Sequence, residues 1–186
     1  MRVIAGRLRG RPLRAPRGLT TRPTLDRARE AIFQILGDLS GQKAIDFYAG
    51  TGALGIEALS RGAVHATFVE SDHAAARVLR DNLERLGVSG EATVLELPAE
   101  RARARIERLA PFDLVLADPP WRIAQEAALA VAQWTRGLLS PDARVLLGHP
   151  TASPVELPES TGLVLVDRRK WGGSGMSFFE LIKSSE

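Results

Sequence analysis

From Lys43 onward, short apolar runs alternate with longer stretches in which apolar residues recur every three or four positions. The runs at 44–47, 66–70, 92–97, 112–117 and 144–147 have the length of buried strands, and the stretches at 52–60, 73–86, 99–109 and 124–138 have helical spacing. Such alternation predicts an α/β architecture, a mostly parallel sheet with helices on both faces. The tail breaks the pattern. Runs at 163–166 and 177–182 flank Trp171-Gly172-Gly173-Ser174-Gly175 with no helix between them, which predicts a C-terminal antiparallel hairpin. Upstream, Leu25, Ala28, Ile32, Ile35 and Leu36 predict a helix over 25–36 with Thr24 as its N-cap. Before it, Gly6, Gly10 and short apolar pairs such as Val3-Ile4 predict a small hairpin that stands apart from the core.

The length of 186 residues fits one principal folded unit, and 45% hydrophobic with 25% charged residues is ordinary globular composition. No apolar run is long enough to cross a bilayer and the N-terminus lacks a signal-peptide core, so the expected location is the cytoplasm. With no cysteine and three scattered histidines, neither a thiolate nucleophile nor a metal site is expected. Charge alters the picture more. Residues 1–29 hold nine arginines against the single acid Asp26, a local net of +8 in a chain of net +3. A basic segment on an otherwise acidic body suits a polyanion, and guanidinium groups bind phosphate in a bidentate manner. The chain therefore divides into a basic extension, 1–24, and a main domain, 25–186.

Two motifs carry candidate chemistry. Asp46-Phe47-Tyr48-Ala49-Gly50-Thr51-Gly52-Ala53-Leu54-Gly55 joins the first strand to a helix through a glycine-rich turn that a ligand can approach closely. Glu70 ends the second strand, where a carboxylate can accept both hydroxyls of a ribose. These features fit a nicotinamide dinucleotide as well as other adenosine cofactors. The second motif, Asp118-Pro119-Pro120-Trp121, follows the fourth strand and lies at the same edge of the sheet. Its prolines stiffen the turn and remove donors, leaving Asp118 and backbone carbonyls as acceptors for an amine, while Trp121 offers a face for stacking a base.

Together these motifs resemble motifs I, II and IV of the class I S-adenosylmethionine-dependent amino-methyltransferases. The start of the chain, with Met1-Arg2-Val3-Ile4-Ala5-Gly6, Arg9-Gly10-Arg11, Arg22-Pro23-Thr24 and Arg29-Glu30, resembles the bacterial 16S rRNA guanine-N2 methyltransferases of the RsmD type, and residues 52–63 continue the likeness. The resemblance implies a Rossmann-like class I methyltransferase sheet and methyl transfer from S-adenosylmethionine to N2 of one guanine in small-subunit rRNA. It also implies an rRNA or assembling 30S partner and a monomer. The implied cofactor residues are Asp46, Ala49, Gly50, Thr51, Gly52, Glu70, Ser71 and Ala99, and the implied catalytic residues are Asp118, Pro119, Pro120 and Trp121. Arg7, Arg9, Arg11, Arg22 and Thr24 are the candidates for RNA contact. The chain departs from the family where Trp121 replaces Phe or Tyr, Pro98 replaces Asn or Asp, and Gly148-His149 replaces Glu. Adenine-N6 methylation of DNA or RNA, and a noncatalytic RNA-binding role, are the competing readings.

Overall fold

β1 (Lys43–Phe47), β2 (His65–Glu70), β3 (Ala92–Glu96), β4 (Phe112–Ala117), β5 (Leu139–Pro150), β6 (Leu163–Trp171) and β7 (Ser174–Leu181) form one sheet in the order β3-β2-β1-β4-β5-β7-β6. The computed structural model describes residues 1–15 and 23–182, and for Pro23, Thr24 and Leu25 the backbone alone. β1 to β5 run parallel; β7 pairs antiparallel with both β5 and β6. The expected α/β sheet with its terminal hairpin is therefore the observed fold.

The helices are α1 (Pro23–Leu36), α2 (Ala53–Ser60), α3 (His73–Leu86), α4 (Arg103–Ile106) and α5 (Ala124–Thr135). Strand residues alternate between two cores because successive side chains point to opposite faces. Ala44, Leu114, Leu116, Leu146 and Phe178 pack with Ile32 and Phe33 of α1, Ile56 and Leu59 of α2, and Leu79 and Leu83 of α3. Ile45, Phe47, Val115, Val145 and Phe179 pack with Ile106 of α4 and Ala124, Ala128 and Val131 of α5. Burial on both faces explains why these strands read as nearly continuous apolar runs.

Several expectations need correction. α1 begins at Pro23, so Thr24 lies inside the first turn and does not cap it, proline being well suited to a first helical turn. The stretch 99–109 is not one helix: a 3₁₀ turn at Ala99–Arg101 precedes the four-residue α4, and of these residues only Ala99, Ala102 and Ile106 are fully buried, with Leu109 packed at the core's edge. β5 continues beyond the expected end at 147 to Pro150 because β7 pairs with it as far as Pro150↔Ser174, which places His149 within the strand. Finally, the N-terminal segment does not stand apart. It closes with a single bridge, Arg2↔Pro12, and buries Val3, Leu8 and Leu13 in the first core.

That docking depends on close approach. A Cβ on Gly6, whose φ is +79°, would fall 1.9 Å from the Ser60 carbonyl oxygen. The Arg7 N–H donates to that same oxygen at 2.8 Å. No helix among the described residues is long and apolar enough to cross a membrane.

β1 feeds toward β2 and β3 while β4 feeds toward β5, so the strand order reverses between β1 and β4. The crevice at the carboxyl ends of two such neighbours is where open α/β sheets bind ligands. Here those ends carry the glycine turn and Asp118.

Candidate active site

The turn after β1 is built for close approach. Tyr48, Gly50 and Gly52 have φ of 57°, 54° and 83°, a region strained for tyrosine and open to glycine. A Cβ on Gly52 would sit 2.3 Å from Leu79 Cδ1, and one on Gly55 2.3 Å from Phe68 Cε1, so both glycines let α2 lie against α3 and β2. The backbone donors of the turn point at carboxylates. Gly50 N–H donates to Glu70 Oε2 at 2.7 Å, Asp72 N–H donates to Glu70 Oε1 at 2.7 Å, and Gly55 N–H donates to Asp46 Oδ2 at 2.9 Å. The main chains of Ala49 and Thr51 are held by neighbours: Ala49 N–H donates to Val69 O at 3.2 Å, and Thr51 O accepts from Asn82 Nδ2 at 3.1 Å. Burial pushes the Asp46 carboxyl up to about 7; the Gly55 hydrogen bond opposes this, and the nearby Asp118 and Glu70 charges add to it.

Tyr48, Glu70, Ser71 and the four residues Asp118 to Trp121 line a cavity of about 440 Å³, so the start of the turn after β1, the end of β2 and the Asp-Pro-Pro-Trp motif share one hollow. Ala99 is not on that wall; it is buried in the second core after β3. Asp118 and Trp121 also line a second cavity of about 210 Å³. This one opens between α1 and the β6–β7 hairpin, with Arg29, Ile32, Trp171 and Met176 on its walls. Asp118 thus lies at the junction of two hollows, where solvent reaches it. The protein surrounding it on other sides raises its pKa by desolvation. Trp121 is 51% exposed, free to present a ring face, and its Cη2 abuts the hairpin at Gly173.

At position 148 the structure supplies a use for glycine. A Cβ there would lie 2.3 Å from Asp118 Oδ1 and 3.2 Å from Asp118 Cα. Gly148→Ala is therefore expected to turn the Asp118 carboxylate away and lower turnover about tenfold or more while leaving the melting temperature nearly unchanged, since misplacing a positioned group is costly to rate. Single-turnover kinetics with a parallel thermal melt checks this. His149 next to it is buried: its Nδ1–H donates to Pro150 O at 2.9 Å and Nε2 accepts from Ser177 Oγ at 3.0 Å. It packs against Gly175, so it braces the second cavity from behind.

The N-terminal arginines divide by use. Arg7 donates to Leu59 O and pairs with Glu91; Arg11 donates to Leu86 O and Arg85 O. These carbonyls belong to the last turns of α2 and α3, where unpaired oxygens and the negative end of the dipole favour a cation. Both side chains thus tie the segment to the body. The Arg9 side chain makes no hydrogen bond among the described residues and lines a groove of about 450 Å³ with Arg2 and Arg27, two positions the motif reading did not single out. Arg22 lies outside the described residues, as does the side chain of Thr24.

Two buried charges escaped the sequence reading. Glu57 is 1% exposed and accepts from Ile4 N–H at 2.8 Å, Ala5 N–H at 3.0 Å and Arg61 Nε at 2.9 Å. Arg29 is 4% exposed, sits 3.8 Å from Glu57 through Nε, and donates from Nη2 to Arg2 O and Asp26 Oδ1. Desolvation lowers its pKa, against the opposing pull of Asp26 and Glu57. A helical i, i+4 signal links Glu57 to Arg61, but nothing local links either to residues 4 and 5.

Comparison with known proteins places the chain in a family. The family described as Conserved hypothetical protein 95 matches residues 1–180. A Bacillus subtilis protein provisionally named rRNA methyltransferase YlbH is 37% identical over 183 residues, covering 97% of this chain and 98% of its own. Ribosomal RNA small subunit methyltransferase D of Haemophilus influenzae is 33% identical over 168 residues, covering 88% of this chain and 86% of its own. A solved Escherichia coli structure, provisionally named methyltransferase yhhF, has a TM-score of 0.83 at 28% identity and covers 97% of each chain. With a family match from residue 1 to residue 180 and relatives aligned over most of their length, the chain belongs to the Conserved hypothetical protein 95 family, that of the RsmD-type methyltransferases.

Proposed function

We propose that the chain transfers the methyl group of S-adenosylmethionine to the exocyclic N2 of one guanine in small-subunit rRNA. The observation that carries this reading is the place of Asp118, between a cavity beside the glycine turn and a second one walled by α1 and the terminal hairpin. Names of relatives that act on ribosomal RNA of the small subunit support the choice of acceptor.

The residues present suit the cofactor. Each Glu70 oxygen holds one backbone N–H and retains a lone pair for a ribose hydroxyl. Asp46 in β1, Ala49, Gly50, Thr51 and Gly52 in the turn after it and Ser71 after β2 surround the cofactor, and the Ala99 backbone completes the adenine end in this reading. When bound, the cofactor supplies an electrophilic methyl group on a sulfonium. The chain supplies position and charge. Asp118 and the backbone carbonyls of its turn accept the N–H bonds of the target amine, so its lone pair is directed outward, while Pro119 and Pro120 hold the turn rigid and Trp121 stacks on the base. Once methylated, the nitrogen releases a proton, and Asp118, whose pKa burial raises, is the acceptor at hand. Arg9 with Arg2 and Arg27 faces RNA phosphates, on free rRNA or an assembling 30S particle. In this reading the enzyme is a monomer, and no step is assigned to a metal ion.

Glu70→Ala is expected to weaken adenosylmethionine binding about tenfold or more, since a hydrogen bond to a charged group contributes roughly 1.5 to 3 kcal/mol. Isothermal calorimetry showing unchanged affinity removes Glu70 from the site. Asp46 adds a pH dependence. Its folded pKa of about 7 lies above the ordinary carboxyl value, so the stability it lends is complete at low pH and is lost as pH rises through 7. A cationic ligand beside it favours the carboxylate. Binding should therefore release a proton and strengthen from pH 5.5 to about 7, then level off. Asp46→Asn should flatten that profile and raise the ligand-free melting temperature above pH 7; a wild-type affinity that is flat across this range contradicts the assignment.

A further inference from the structure

We propose that the 210 Å³ cavity between α1 and the β6–β7 hairpin receives the target base, and that Arg29 selects guanine there by donating a hydrogen bond to its O6. The inference rests on the proposed methylation of a base amino group and adds the residue that chooses the base.

The cavity has an acid, Asp118, and a base, Arg29, set among Trp121, Trp171 and Met176. Phosphate is opposed by Asp118 and a cation by Arg29. A flat, neutral group that stacks between apolar walls, with donors at one end and an acceptor at the other, satisfies both. Arg29 has donors to spare. Its Nη2 is committed to Arg2 O and Asp26 Oδ1, and its Nε is buried without a hydrogen bond. Nη1 makes no hydrogen bond among the described residues and is not among the buried atoms lacking one, so it is the guanidinium end that solvent reaches. In a hollow closed by a base, a donor left without an acceptor is unfavourable, so the site discriminates through what the base brings to Nη1.

Among the purines with an exocyclic amine, guanine carries N2, N1–H and O6 in sequence along one edge. With N2 against Asp118, O6 is offered to Arg29, and arginine donating to guanine O6 is a common pairing in nucleic-acid recognition. Adenine, entering with N6 against Asp118, brings C2–H to that place and leaves Arg29 unpaired. The side chain is held for this role. Asp26 and the Arg2 carbonyl fix one end of the guanidinium, and Glu57 neutralises its charge from behind, so little ordering is needed when a base arrives.

The test uses the full chain and a synthetic RNA of the mapped acceptor sequence, with either guanine or 2-aminopurine at the acceptor. 2-Aminopurine keeps the reacting N2 and lacks O6. Wild-type protein is expected to methylate the guanine RNA about tenfold or more faster under single-turnover conditions. Arg29→Met should slow the guanine reaction far more than the 2-aminopurine reaction, so that the preference collapses. A purely structural Arg29 would slow both alike, preserving the preference, and that result overturns the proposal. Arg29→Lys, which keeps the charge facing Glu57 and Asp26, provides the comparison if the methionine variant does not fold, and is expected to lose most of the preference. Equal wild-type rates on both RNAs overturn the Arg29 role alone, whereas no transfer to the guanine RNA overturns the proposed function with it.

Discussion

Asp118→Ala is expected to lower the rate of methyl transfer to small-subunit rRNA about a hundredfold or more, with adenosylmethionine affinity little changed. An aromatic amine is a weak nucleophile because its lone pair is delocalised into the ring. The carboxylate at the junction of the two cavities is placed to localise that lone pair as the bond forms, and an interaction made mainly in the transition state appears in turnover and not in ground-state binding. Asp118→Asn should retain more activity than the alanine variant, since an amide oxygen still accepts one hydrogen bond. Because burial raises the Asp118 pKa, the acceptor form should be lost on acidification at a higher pH than for an ordinary aspartate, and the asparagine variant should lack that acid limb. A wild-type transfer rate in Asp118→Ala removes Asp118 from the mechanism.

Glu57→Ala is expected to produce the largest loss of stability, about 3 to 5 kcal/mol, because removing one member of a buried ionic group leaves the others uncompensated. Ile4 N–H and Ala5 N–H would lose their acceptor, Arg61 its ion-pair partner, and the almost fully buried Arg29 the more deeply buried of its two counter-charges. The damage would spread to the segment that buries Val3, Leu8 and Leu13, and so to the cavity wall that Met1 and Arg29 provide. Glu57→Gln keeps one acceptor and should fall between. Urea unfolding monitored by circular dichroism reads the difference, and a midpoint within experimental error of wild type would show that the N-terminal segment is held by its apolar contacts alone.

What the sequence conveyed, and what it did not, follows the range of the interactions. β4 was legible to the residue because an apolar run buried on both faces carries its own boundaries. The glycine turn, Glu70 and Asp118-Pro119-Pro120-Trp121 were legible because each is a local pattern at a strand end, and a parallel sheet brings neighbouring strand ends together. The extension of β5 through Gly148 and His149 was not, since it depends on β7, some thirty residues away. The N-terminal segment misled because its arginines are dense and its apolar residues are scattered among them without a strand or helix period. Only the structure shows that Arg7 and Arg11 stay on the protein while Val3, Leu8 and Leu13 enter the core. Arg29 looked like one basic residue among nine, because the cavity it shares with Trp171 is assembled from α1 and a hairpin at opposite ends of the chain.

The central claim is that this chain methylates guanine N2 in small-subunit rRNA. It is tested most directly by incubating the protein with tritiated-methyl adenosylmethionine and, separately, free small-subunit rRNA, small-subunit particles and DNA, then digesting the labelled product to nucleosides. The account predicts label in N2-methylguanosine from one position of the small-subunit rRNA and none in DNA; label in N6-methyladenine, or no transfer to any of the three, would contradict it.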